Sequence, residues 1–160
     1  MRFAGYAALF DRPDRGGDVV RAGAFERSLK RGPAAVPLLL QHRTGRPVGR
    51  IEYLREDRRG LRVIARLSDG RAGQAAAALL REGRLAGLSF GYKVKKASAW
   101  PGPGPSRLRE LTELELLEIS LVAVPMQPKA RVHALAGGAQ ASPAGATRVK
   151  PGTGRSSGPS

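Results

Sequence analysis

At 160 residues and 17.0 kDa the chain has room for one compact domain but not for two ordinary ones. Aromatic residues make up only 5% of it and cysteine is absent, while there are 21 glycines and 12 prolines; this excludes disulfides, thiolate catalysis and Cys-ligated zinc, and favours a turn-rich β or mixed fold over a helical bundle. A net charge of +15 invites an anionic partner, but the arginines are scattered and often sit beside acids, as in Arg55-Glu56-Asp57-Arg58-Arg59. There is no basic helix or aromatic stacking platform, so nucleic acid is not expected as a specific partner, whereas attraction to acidic protein segments stays open.

Phe3 to Phe10 reads as a first strand, closed by the turn-forming run Asp11 to Gly17. The charged residues that follow Met1 so quickly give no secretory signal, and no run approaches the roughly 20 apolar residues of a membrane span. Ala24 to Arg31 follows as a short helix with Phe25 and Leu29 on one face, ended by Gly32-Pro33. Val36 to His42 is the next strand, in which period-two alternation places Leu38, Leu40 and His42 on one face.

Val48 to Leu54 and Leu61 to Leu67 form a hairpin around the charged turn Arg55 to Gly60. Ser68-Asp69-Gly70 offers an N-cap for a helix over Ala72 to Glu82, stopped by Gly83. Leu88 to Val94 is a strand with Leu88, Phe90, Tyr92 and Val94 on one face and Gly87, Ser89, Gly91 and Lys93 on the other. After a Pro/Gly-rich loop at Trp100 to Pro105, Leu108 to Val124 alternates but slips phase at Leu116-Leu117. A bulged strand or a helix would account for the slip; the β-branched residues from Ile119 onward favour the strand. Residues 1–136 are thus expected to form the folded domain, and 137–160, rich in Gly, Ala, Pro and Ser, a disordered tail.

Two side chains stand out chemically. Ser89 has glycines as its same-face neighbours, which leaves the hydroxyl open to a substrate backbone or, equally, marks a tightly packed position. Gly87-Leu88-Ser89-Phe90-Gly91 also spells G-x-S-x-G, yet a nucleophile elbow needs a strand before the serine and a helix after it, the reverse of the order here. The hydrolase order would further require a downstream histidine, and only His133 at the edge of the tail is available. His42, the histidine of the expected core ahead of Ser89, could act as its base or be a partly buried structural residue beside Leu38 and Leu40. Lys93 or Lys95 could form a Ser-Lys dyad instead, but only if strongly desolvated. Glu118 could accept the second imidazole N–H bond, or be one more charge on a Glu-rich strand.

Several stretches together resemble the prohead protease family of HK97-type tailed phages and related gene transfer agents. They are Phe3-Ala4-Gly5-Tyr6-Ala7, Asp18-Val19-Val20, Gly23-Ala24-Phe25, Leu38 to His42 with Pro47-Val48-Gly49, Gly87 to Tyr92, and Leu117 to Val122 with Pro125. That family is similar in turn to the herpesvirus assemblins. The resemblance implies an α+β fold, a small β-barrel flanked by helices, with Ser89 as nucleophile, His42 as base and Glu118 as candidate third member. Glu118 departs from the Ser-His-His pattern of assemblins, and the run after Val124 lacks their arginine pair. The implied activity is serine endopeptidase cleavage of the scaffolding segment of the major capsid protein, and of the enzyme itself, inside the procapsid in the bacterial cytoplasm. No cofactor, metal or membrane is implied, and self-association into a homo-oligomer is left open. The competing readings are a capsid assembly factor that binds scaffold without proteolysis, and a basic β-barrel that binds nucleic acid.

Overall fold

The computed structural model describes residues 1–137; the tail expected from 137 onward lies outside the described residues but for Gly137. Eight strands and two helices follow in order: β1 (Arg2–Leu9), β2 (Asp18–Val20), α1 (Glu26–Leu29), β3 (Leu38–Leu40), β4 (Gly49–Glu56), β5 (Gly60–Leu67), α2 (Arg71–Arg81), β6 (Gly87–Ala99), β7 (Arg109–Val122) and β8 (Val132–Ala136). A single 3-10 turn, Pro33–Ala35, lies between α1 and β3. Among the described residues no helix is long and apolar enough to cross a membrane.

All eight strands belong to one sheet, ordered β2-β7-β3-β4-β5-β1-β8, with β6 on the remaining edge of β7. Strand β7 organises it. One edge pairs antiparallel with β6 along nearly its whole length; the other pairs parallel with β2 at Arg109 to Leu111 and with β3 at Ile119 to Leu121. The phase slip is a bulge. Gly91 faces Glu118 while Tyr92 faces Leu116, so Leu117 is the extra residue. This keeps Leu114, Leu116, Ile119 and Leu121 all buried in the core, and leaves Leu117 40% exposed.

The sheet curls until its edges approach each other, but no continuous ladder closes it. The seam is one bridge between Gly87 and Arg131, flanked by Leu88 N–H to Ala130 O and Val132 N–H to Ala86 O, both 2.9 Å. Gly5 belongs to this seam: a Cβ there would lie 2.4 Å from the Arg131 carbonyl oxygen. The expected barrel is therefore incompletely closed. Beyond the seam β6 runs on with β7 as a long hairpin whose β6 residues from Lys93 to Ala99 are exposed, so they have no core to fold against.

Two expectations are corrected, and the N-cap expected within Ser68 to Gly70 is met without a side-chain bond. The helix expected at 24–31 contracts to the four residues of α1, because Gly23 and Gly32 hold positive φ at its two ends. The strand expected at 36–42 is only Leu38–Leu40, so His42 does not share a strand face with Leu38 and Leu40. Gly70 occupies the N-cap of α2 with no side-chain cap bond. The hairpin at β4 and β5 and the helix α2 lie where the hydrophobic pattern places them.

Between the two halves of the sheet, Asp18 of β2 accepts bonds from Tyr92 Oη (2.7 Å) and from Arg109 Nε and Nη2 (2.8 and 3.0 Å). Burial alone would raise the Asp18 pKa, but the Arg109 and Tyr92 hydrogen bonds outweigh it and hold the carboxyl below the usual range. A depressed folded-state pKa stabilises the protein above the unfolded value and loses that stabilisation as pH falls through the folded one. Asp18→Asn is accordingly expected to cost about 1–3 kcal/mol near neutrality. In chemical denaturation series that difference from wild type should shrink as pH drops below about 4.

Candidate functional site

Ser89, Ser120 and Leu39 lie on one rung across β6, β7 and β3. Residues directly opposite on adjacent strands project to the same face. Leu88, Ile119 and Leu121 point into the core, so Ser89, Ser120 and Glu118 point to the opposite face. All three are nevertheless buried, at 4%, 0% and 9% exposure.

His42 reaches this face from a turn. Just after β3, Gln41 and His42 take φ values of 50° and 58°, a left-handed conformation that costs an L-residue about 1–2 kcal/mol each. Four hydrogen bonds hold the turn: Gln41 N–H to Leu121 O (2.9 Å), Arg43 N–H to Leu40 O (3.0 Å), Ala123 N–H to Gln41 Oε1 (3.2 Å) and His42 N–H to Ser120 Oγ (3.1 Å). The reversal carries the imidazole back over β7, where Nδ1 lies 2.5 Å from Glu118 Oε1. The other carboxylate oxygen accepts from Ser120 Oγ at 2.6 Å.

The imidazole side chain is 47% exposed whereas that of Glu118 is 11% exposed, so a half-exposed ring covers a buried carboxylate that its Nδ1 contacts. The structure thus gathers Ser89, His42 and Glu118 on one face, with His42 bonded directly to Glu118. The Ser89 hydroxyl makes no hydrogen bond among the described residues. Every fully buried polar side-chain atom there is partnered, so this hydroxyl retains a solvent-facing surface. Bonds between a hydroxyl and an imidazole in an unliganded site often tighten only with substrate, so the lack of a Ser89–His42 bond does not exclude a functional pair.

The flanking glycines have a different role from the one their openness suggests. A Cβ on Gly91 would stand 2.7 Å from Glu118 Oε1 and 3.0 Å from its Cγ, and one on Gly87 would stand 2.7 Å from the Pro125 ring. The space beside Ser89 is therefore filled by the chain's own Glu118 and Pro125. The cavity next to Ser89, lined by Asp14, Tyr92, Met126 and Gln127, is only about 30 Å³, close to the room one water takes. A larger one of about 310 Å³, lined by Arg27, Arg31, Lys95 and Glu115, lies along the far half of β6 and β7.

The other candidates lie apart from this constellation. Lys95 pairs with Glu115 at 3.4 Å, and Lys93 faces the same Glu115 across the hairpin. His133 is in β8, its ring 5.6 Å from that of Tyr6. Ser120 is the residue that reading the sequence missed. Its signal was present: a small hydroxyl between Ile119 and Leu121, two residues from Glu118 on a strand otherwise apolar there.

Comparison with known proteins agrees with this architecture. The chain is 32% identical over 135 residues to the prohead protease of Enterobacteria phage HK97, a match covering 83% of the chain and 59% of that protein's length. Among solved structures, it is similar to the bacteriophage T4 capsid assembly protease, with TM-score 0.55, 16% identity, and coverage of 76% of this chain and 80% of the other. It is likewise similar to the KSHV protease in complex with a hexapeptide phosphonate inhibitor, with TM-score 0.56, 12% identity, and coverage of 82% and 63%. At those identities the structural likenesses speak for the fold alone, which is thus the herpesvirus-protease-like one the sequence implies. The sequence model of the Caudovirus prohead serine proteases matches residues 1–143, and the chain belongs to that family.

Proposed function

We propose that this chain is a serine endopeptidase of capsid maturation in which Ser89 is the nucleophile, His42 the general base and Glu118 the acid that orients the imidazole. The observation that carries this reading is the 2.5 Å contact of His42 Nδ1 with Glu118 on the face that also bears Ser89. With Nδ1–H donated to the carboxylate, Nε2 keeps its lone pair and can take the Ser89 proton as the hydroxyl oxygen attacks a scissile carbonyl. The imidazolium then returns the proton to the leaving amine, and water, deprotonated by the same nitrogen, resolves the acyl-enzyme.

The substrates we assign are the scaffolding segment of the major capsid protein and the protease itself, cut inside the assembling procapsid in the host cytoplasm. The names of the HK97 prohead protease and the T4 capsid assembly protease support a protease acting in capsid assembly. The net charge of +15 suits retention by acidic scaffold segments. We assign the proteolytic unit to residues 1–136.

Rate loss on removing a general base is typically about 10²- to 10⁴-fold. Labelling by a serine-directed fluorophosphonate should therefore disappear in Ser89→Ala and fall by at least about 10²-fold in His42→Ala. Labelling that persists in Ser89→Ala would place the nucleophile elsewhere. Co-expressed with its capsid protein, the wild type should trim that partner and Ser89→Ala should not. Gly91→Ala is expected to fold, since Gly91 lies on the partly exposed stretch of β6. Its methyl group must nonetheless displace the Glu118 carboxylate, and the labelling rate should drop by about tenfold or more while thermal stability changes little.

A further inference from the structure

The hydrogen bonds around Ser120 have a fixed direction. A backbone N–H can only donate, so at 3.1 Å from His42 N the Ser120 oxygen accepts. Its single proton is then free for one partner, and Glu118 Oε2 lies 2.6 Å away. Glu118 is left with Oε1 for His42 Nδ1 at 2.5 Å. The chain of donors starts at His42 N–H, passes through Ser120 Oγ–H to the carboxylate, and meets the Nδ1–H of the same His42. It is a closed ring of four polar groups on three residues. Ser120 is wholly buried, so water does not compete for either bond.

We infer that Ser120 is a positioning residue of the Ser89 site, which fixes both the carboxylate rotamer of Glu118 and the Nδ1–H tautomer of His42. The inference rests on the reading of His42 as the base. Two demands meet at this hydroxyl. The left-handed turn at Gln41 and His42 is strained, and one of its four anchors is the Ser120 oxygen. The carboxylate has its Oε1 beside the Gly91 backbone, and without a donor on Oε2 it could rotate away from the imidazole. Ser120 is also the direct cross-strand partner of Ser89, so one rung of the sheet sets the nucleophile and the group that orients its base. An apolar residue at this position would suit the buried strand equally well, and the hydroxyl is explained by the ring it completes.

The test combines Ser120→Ala, Ser120→Cys and Ser120→Thr with Ser89→Ala as reference. The chain holds only two histidines, so ¹⁵N-detected imidazole spectra resolve the His42 tautomer directly. In wild type the Nδ1–H form should dominate. In Ser120→Ala the spectrum should shift toward a mixture, and the maximal fluorophosphonate labelling rate should fall about 10- to 100-fold while the apparent affinity for the probe stays within about twofold. Ser120→Cys, a weaker donor of similar size, carries the same expectation should the alanine variant fail to fold. Ser120→Thr restores the hydroxyl and should recover the tautomer and most of the rate. Ser89-dependent labelling with an unchanged tautomer and rate in folded Ser120→Ala or Ser120→Cys overturns the positioning role alone. Labelling that does not depend on Ser89 or His42 overturns the underlying site.

Discussion

One inserted residue in β7 determines where the proposed site sits. From Leu114 to Leu116 the strand sends alternate residues inward, and uninterrupted continuation would bury Glu118 and Ser120 beside Leu114 and Leu116. Leu117 takes up the extra position, so Ile119 and Leu121 go inward while the acid and the hydroxyl face the other way. Burying an unpaired carboxylate in the apolar core would cost several kcal/mol. The bulge and the site are thus the same feature seen from the two faces of the sheet.

The rest of the site follows from the pairing of β7 on both edges. On one side β6 presents Ser89 opposite Ser120, and on the other β3 ends at Leu40 so that the chain can turn back with His42 over Glu118. A central strand with neighbours on both edges is difficult to displace, which suits a constellation whose geometry must hold to a fraction of an ångström. Pairing is sparser elsewhere in the sheet. Its seam is a single bridge at Gly87, and the exposed side chains of Val124 and Met126 lie on the segment that packs Pro125 against that glycine.

Much of this was legible in the sequence. The hairpin of β4 and β5, the helix α2 and the alternating start of β6 carry clear periodicity and turn chemistry, and the doubled leucine at 116 and 117 marked the bulge. The turn at Gln41-His42 was not legible, because left-handed backbone is normally announced by Gly or Asn. Here it is imposed by tertiary bonds to Leu121, Ala123 and Ser120. For the same reason the length of β3 and the parallel pairing of β2 and β3 with β7 escaped a local reading. The glycines around Ser89 were conspicuous, but what filled their space depended on Glu118 and Pro125, more than twenty-five residues away in sequence. The pieces resembling prohead proteases supplied the grouping of Ser89, His42 and Glu118 that periodicity alone could not.

The most direct measurement is a crystal structure of the protein after reaction with a peptidyl phosphonate. The account predicts phosphorus bonded to Ser89 Oγ, His42 Nε2 within about 3.2 Å of an adduct oxygen, and the Nδ1 contact to Glu118 intact. Phosphorus on another residue, or an imidazole turned away from the adduct with its carboxylate partner exchanged, would contradict it.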